Sequence, residues 1–213
     1  MTAQSAALAA LRERLLTGRL KPGQPVRQQA LAAELGLSIV PVREALTTLQ
    51  SEGLIDYRPN RGFTVAELDL DDLTEAYRLR EVLEGEAVRE ALPRLTAADI
   101  DQLGELAHEF QRLAAEGPSL ELSRVNRAFH FLILQRSGMP RCLNFIRMLW
   151  DATEVYRVLA YTVVELRGAA AREHREIVAL LRAGRLDDAA LQLRRHMHAL
   201  PVLKEVMETV DRS

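Results

Sequence analysis

Cysteine is nearly absent from this chain of 213 residues: Cys142 stands alone, so neither an intrachain disulfide nor a Cys-x-x-Cys metal site can form. A reducing cytoplasm suits such a chain. No apolar run approaches the roughly 18 residues that suggest a membrane span. The first residues lack a basic segment, and Arg12, Glu13 and Arg14 interrupt their apolar character, so a signal peptide is not expected. Aromatic residues make up only 5%, which argues against a protein that stacks single-stranded bases. Charge of one sign is missing too. The net charge of −2 excludes a strongly basic protein, though not a basic subdomain.

What is present is helix. Strand-like sequence occurs once, where residues 54–57 and 63–65 flank Arg58-Pro59-Asn60-Arg61-Gly62, a hairpin pattern with a loop of about five residues. Elsewhere apolar residues recur at helical spacing. Three helices are predicted before the hairpin: over 5–17, over 27–35 with Gly36 closing it, and from the N-cap Ser38 to about residue 52, with Pro41 tolerated in the first turn. Six are predicted after it, over 70–92, 97–115, 119–137, 140–161, 169–183 and 186–211. Thr96 and Asp99 form a capping-box pattern ahead of the second of these. Pro201 predicts a kink in the last. The expected fold class is mainly α, with a winged helix-turn-helix over residues 1–66 and an all-helical bundle of about six helices over 67–213.

The charges divide with the fold. Residues 1–66 hold eight Lys or Arg against five acids, a net of +3, which leaves −5 for the remainder. A short basic module joined to a longer acidic one lies behind the near-neutral total.

Within residues 28–46, Ala32, Gly36 and Val42 have helix-turn-helix spacing: a small residue where the helices touch, a turn glycine, then a β-branched core residue. The start of the second helix in such a motif enters the major groove. Ser38, Ile39, Val40 and Arg43 are therefore candidate base readers, with Arg43 directed at guanine or a phosphate. Arg58, Asn60 and Arg61 at the hairpin tip suit phosphate or the adjacent minor groove. The plain alternative is a small helical subdomain with an incidental basic face.

The runs Gly18-Arg19-Leu20-Lys21-Pro22-Gly23, Leu35-Gly36-Leu37-Ser38, Pro41-Val42-Arg43-Glu44-Ala45-Leu46, Glu52-Gly53-Leu54 and Pro59-Asn60-Arg61-Gly62 resemble the winged helix of the GntR family of bacterial transcription regulators. The resemblance spans residues 6–66 and implies double-stranded operator DNA as the partner. Two DNA-facing places depart from the family pattern. Gln28-Gln29-Ala30 replaces Glu-Arg-Glu/Asp, and Ser38-Ile39-Val40 replaces Ser-Arg-Thr/Ser. Gln29 and Ile39 thus stand where the family places arginines. Gln reads adenine edges, and Ile39 and Val40 suit a thymine methyl. Fewer cations predict weaker, less salt-dependent binding and an operator unlike the family's common one.

Three histidines face inward by helical spacing. His174 shares a face with Ile177, Val178 and Leu181, His196 with Leu193 and Leu200, and His130 with Ile133, Leu134 and Asn126. His198 points to solvent, and His108 reads as a surface residue. Three imidazoles on three helices of one bundle suit zinc, nickel or another borderline divalent ion. Taken singly, each is as well read as a hydrogen-bonded core residue. Arg80 and Arg157 are candidate partners for an organic anion, because a guanidinium suits a carboxylate; a surface ion pair is the alternative for Arg157. Cys142, Trp150, Tyr156 and Tyr161 read as core or pocket wall.

The segments Arg80-Glu81-Val82-Leu83-Glu84-Gly85-Glu86-Ala87, Asn126-Arg127-Ala128-Phe129-His130, Ser137-Gly138, Glu173-His174-Arg175-Glu176-Ile177 and Arg195-His196 resemble the FCD ligand-binding domain of the FadR-type branch of the same family. Six helices rather than seven resemble its shorter, VanR-like variety. The resemblance implies a metal held at Asn126, His130, His174 and His196, a carboxylate effector completing the coordination, and a family arginine at Arg80. Asn126 stands where Asp is an alternative, and its neutral amide oxygen is the poorer ligand. The expectation is a cytoplasmic, homodimeric, effector-responsive transcription regulator with no membrane partner and no catalytic residue. A metal-dependent hydrolase or lyase using the three histidines is the second reading, weakened because no general base adjoins them and Glu173 points about 100° away from His174. A purely structural metal is a third.

Overall fold

Apolar residues three and four apart place one face of each N-terminal helix inward: α1 (Ala3–Leu16), α2 (Gln28–Leu35) and α3 (Ile39–Ser51). The computed structural model describes residues 2–67 and 69–197. The chain divides into two compact units, Met1–Asp69 and Leu70–Ser213. In the first, Ala7, Leu11, Leu31, Val42, Leu46, Leu49, Ile55 and Phe63 form one core. Each large apolar side chain fully buried there contributes about 1.5–3 kcal/mol.

The turn between α2 and α3 needs a left-handed residue, and Gly36 supplies it at φ 64°. Ser38 occupies the N-cap position of α3, but its side chain makes no capping hydrogen bond. That leaves its exposed hydroxyl uncommitted to the helix. Pro41 lies buried in the first turn.

Three short strands, β1 (Pro25–Val26), β2 (Ile55–Arg58) and β3 (Gly62–Val65), form an antiparallel sheet in the order β1-β3-β2. Arg58 pairs with Gly62, so the wing loop is residues 59–61 rather than five residues. Asn60 at φ 66° and Gly62 at φ 80° provide the left-handed backbone that this tight return demands. β1 is not among the predicted elements, because a two-residue strand carries no alternation to read.

The second unit holds α4 (Leu70–Ala91), α5 (Ala97–Glu116), α6 (Ser119–Leu134), α7 (Pro140–Ala152), α8 (Glu154–Ala160), α9 (Val164–Arg182) and α10 (Leu186–Met197). Among the described residues these are seven helices where six are predicted. The helix expected over 140–161 breaks at Thr153, whose backbone leaves the helical region at φ −100° and ψ 4°. Its hydroxyl donates to the Leu149 carbonyl at 2.8 Å, which satisfies an acceptor that the broken helix would strand. The helix count that suggested the VanR-like variety therefore does not hold. α9 begins at Val164, so Gly168 lies inside a helix and does not start one. The far end of the last predicted helix, with His198 and the Pro201 kink, lies outside the described residues. The bundle core gathers Ala87, Phe129, Ile133, Ile146, Trp150, Ile177, Leu181 and Leu193.

α5 begins with the capping box read from sequence: Thr96 Oγ1 accepts the Asp99 N–H at 3.2 Å, and Asp99 Oδ2 accepts the Thr96 N–H at 2.9 Å. The other Asp99 oxygen takes Arg136 at 2.5 Å, tying this helix start to the turn after α6. The Arg136 hydrogen bond, with those from Thr96, holds the Asp99 carboxyl down to about 2. A folded-state value depressed in this way stabilises the fold above the ordinary carboxylate range and is lost as pH falls through about 2. Asp99→Asn removes that contribution. Thermal melts are expected to show the variant less stable at neutral pH, with the gap closing between about pH 4 and pH 2. A gap independent of pH would assign the effect to the cap alone.

Candidate metal centre and DNA-reading face

Three helices bring one histidine each to a common point: His130 from α6, His174 from α9 and His196 from α10. One ring nitrogen of each lies within 4.8 Å of the others. His130 and His196 stack with centroids 4.9 Å apart, and their Nε2 atoms stand 3.1 Å apart. His174 meets His196 edge-on at 4.5 Å.

His174 is fully buried between two aromatic rings, Phe129 stacked at 4.2 Å and Phe110 edge-on at 4.6 Å. Neither of its ring nitrogens has a hydrogen-bond partner. A hydrogen-bonded core histidine therefore does not describe it. Asn126 lies one turn before His130 on α6, buried, and its Oδ1 is also without a partner. A buried polar atom left unsatisfied costs about 1–3 kcal/mol. Three such atoms beside two further imidazole nitrogens fit a divalent ion of the zinc or nickel class as the missing partner. Burial above all, and then the proximity of His196, push His130 and His174 well below the ordinary histidine range. Both rings are thus kept neutral, the form in which imidazole offers a lone pair to a metal.

Glu173 completes the arrangement from outside. Its Oε2 lies 2.6 Å from His196 Nδ1, which turns Nε2 of that ring inward. The same hydrogen bond draws the Glu173 carboxyl below its usual range. Helical spacing points Glu173 away from His174 on its own helix. The contact with His196 depends on how α9 packs on α10, which that spacing does not reveal.

A cavity of about 230 Å³ opens beside the cluster, and its wall includes Asn126, His130, His196, Glu173, Tyr77 and Tyr161. Burial raises the Tyr161 hydroxyl above the ordinary tyrosine range, so it stays a hydrogen-bond donor. Arg80, Arg157 and Trp150 share the wall. Arg80 is buried, donates to Glu84 at 2.7 Å and to Thr153 at 3.3 Å, and lies 4.4 Å from the centre of the Trp150 ring. Glu84 also accepts the indole N–H at 2.9 Å. Arg157 is equally buried, so it is not the surface ion pair considered from sequence. Cys142 is half-buried against the core, and His108 is exposed.

In the first unit, Gln29, Ser38, Ile39, Val40 and Arg43 are all exposed, as are Arg58, Asn60 and Arg61 at the wing tip. Ile39 and Val40 show 40% and 65% of their surface, unusual for apolar residues at a helix start. Arg43 Nε donates to Gln28 Oε1 at 3.0 Å, so α2 steadies the guanidinium that α3 presents. Gln28 is a member of this face that the sequence reading does not single out.

Residues 3–65 match the bacterial regulatory proteins of the gntR family, and residues 75–199 match the FCD domain. The chain belongs to the GntR family and carries an FCD domain. It is 38% identical to the HTH-type transcriptional regulator McbR of Escherichia coli K12, over 81% of this chain and 77% of that protein. It is 30% identical to the Nta operon transcriptional regulator of Aminobacter aminovorans, over 83% and 82% respectively. The solved structure of E. coli McbR/YncC superposes with a TM-score of 0.83 at 31% identity, covering 96% of this chain and 98% of that one. This GntR-family protein is a DNA-binding transcription regulator and not an enzyme, which sets aside the hydrolase or lyase reading. Among the described residues no helix is long and apolar enough to cross a membrane.

Glu173→Gln keeps the size of the side chain and removes the charge behind His196. Should the cluster hold zinc, the change weakens that binding about 10- to 100-fold, measured by competition with a chromophoric chelator. Unchanged affinity would show that His196 is oriented without it.

Proposed function

We propose that this regulator is a homodimer whose FCD unit senses a small carboxylate-type metabolite beside a divalent metal ion, and whose winged helix releases or grips its operator in response. The observation that carries this reading is the fully buried His174, unpartnered at both ring nitrogens and set beside His130 and His196.

His130, His174 and His196 would hold the ion, with the Asn126 amide oxygen as a weaker fourth group. When bound, the ion supplies a Lewis-acidic position for a carboxylate oxygen. The chain's own residues do the rest. Glu173 fixes the His196 ring, Tyr77 and Tyr161 offer hydroxyls at the cavity wall, and Arg157, beside an Arg80 already paired with Glu84, offers guanidinium donors to an organic anion. Residues 67–213 are read as the sensing and dimerising part and residues 1–66 as the DNA reader.

A surface for the second copy is supported by α4 and α7, which pack together and leave Leu79, Val82, Phe145 and Met148 exposed. Apolar side chains grouped on a folded surface favour association, and a twofold dimer needs one self-complementary patch. On the operator, Arg43 would meet guanine or phosphate, Gln29 an adenine edge, Ile39 and Val40 a thymine methyl, with Ser38 beside them. Arg58, Asn60 and Arg61 would meet the backbone or minor groove. Such a protein acts where the DNA is, in the cytoplasm. A metabolite that binds the two operator-affinity states unequally shifts DNA occupancy by the difference.

Fluorescence anisotropy with fragments of the protein's own promoter region is expected to show sequence-selective binding at low salt. Equal binding to unrelated DNA would defeat the DNA reading. Ile39→Arg should steepen the dependence of log affinity on log salt by about one. An unaltered slope would place residue 39 away from the phosphates. Zinc added to chelator-treated protein should raise its melting temperature, and His174→Ala should abolish that rise. Zinc without effect on the unmodified chain would remove the metal from the account.

A further inference from the structure

Three guanidinium groups line the cavity, the exposed Arg195 and the buried Arg80 and Arg157, and of the two buried ones only Arg80 is held in an ion pair. Arg80 pairs with the Glu84 carboxylate at 2.7 Å. Arg157, 6% exposed, pairs with no carboxylate among the described residues. Its Nε donates to Ser123 Oγ at 3.4 Å and its Nη2 to the Trp150 carbonyl at 3.2 Å, both neutral acceptors. Its Nη1 donates to none of the described residues. A guanidinium carries five donors, so most of them are left for whatever fills the cavity. A buried charge without a counter-ion is costly. Burial, and then the like charge of Arg80, lower the Arg157 pKa, and the Glu154 carboxylate on the same helix opposes this without forming an ion pair with it.

The histidine cluster lies close by. The His130 ring is 5.3 Å and the Arg157 Cζ 4.0 Å from the Trp150 ring centre, so the two are no further apart than these distances laid end to end. The wall also includes Ala160, Leu166, Ala169 and Ala170, which suit a short hydrocarbon skeleton.

We propose that the cavity takes a small dianionic organic acid, with one carboxylate at the histidine cluster and the second acidic group on Arg157, which decides specificity. The proposal rests on the cluster being the metal-held effector site described above. A divalent ion at the histidine cluster and the Arg157 guanidinium are two separate cationic places beside one cavity, so a diacid offers an acidic group to each. A monoacid fills only one of them.

The test is isothermal titration of the zinc-loaded full-length protein with malonate, succinate and glutarate, each against the monoacid of equal length. The best diacid is expected to bind about tenfold or more tighter than its monoacid, as one charge-assisted hydrogen-bonded pair provides. Arg157→Gln should abolish that gap by weakening the diacid alone, and Arg157→Lys, which keeps the charge, should retain part of it. Diacids and monoacids binding equally to the unmodified protein would overturn the proposal and leave the effector site standing, whether or not the variants fold. A gap that persists in Arg157→Gln would overturn it as well. Binding of neither series would overturn both this proposal and the carboxylate-sensing reading.

Discussion

Keeping both ring nitrogens of His174 dry and unpaired inside a helical bundle is the demand around which the FCD unit is built. Water would satisfy those atoms at no cost, so they must be sealed by something that cannot hydrogen-bond. For His174 the seal is aromatic, Phe110 and Phe129 against its ring. The same exclusion of water keeps His130 and His174 uncharged, because an imidazolium there would lose its hydration. His196 is treated differently: a partly exposed carboxylate, Glu173, holds its outer nitrogen, and its inner one faces Nε2 of His130 at 3.1 Å. His174 is thus oriented by packing alone, and His196 by hydrogen bonding.

Polar groups beneath the cavity follow the same economy. Glu84 serves both Arg80 and the Trp150 indole through one oxygen, and Thr153 serves Arg80 while closing the end of α7. The helix break at Thr153 is therefore part of the wall. It ends one helix, starts another, and sends Arg157 inward from α8. In the DNA-reading unit the logic is reversed. Its core is wholly apolar, and its recognition helix exposes Ile39 and Val40 beside one arginine braced by Gln28. The exposed face of that helix is thus more apolar than cationic.

Features governed by neighbours in sequence are legible in the sequence itself. The helix-turn-helix spacing of Ala32, Gly36 and Val42, the capping box at Thr96 and Asp99, and the inward faces of His130, His174 and His196 all follow from local periodicity. Features set by packing between elements were not. β1 exists only because β3 lies beside it. Glu173 reaches His196 only because α10 lies against α9. Arg157 is an arginine with helical spacing and nothing in its surroundings in sequence to say that it is buried without an ion pair. Gln28 reads as a family departure until Arg43 is seen to donate to it.

Trp150 is the only tryptophan in the chain, and it stands at the cavity wall with both buried guanidinium groups against its ring and His130 at 5.3 Å. Indole emission responds to nearby charge and to proton-donating imidazole. The protein thus carries its own optical gauge at the place where a ligand would arrive. Occupancy of the cavity can be followed in the unlabelled protein, with no second indole to dilute the signal and no dye attached to the surface.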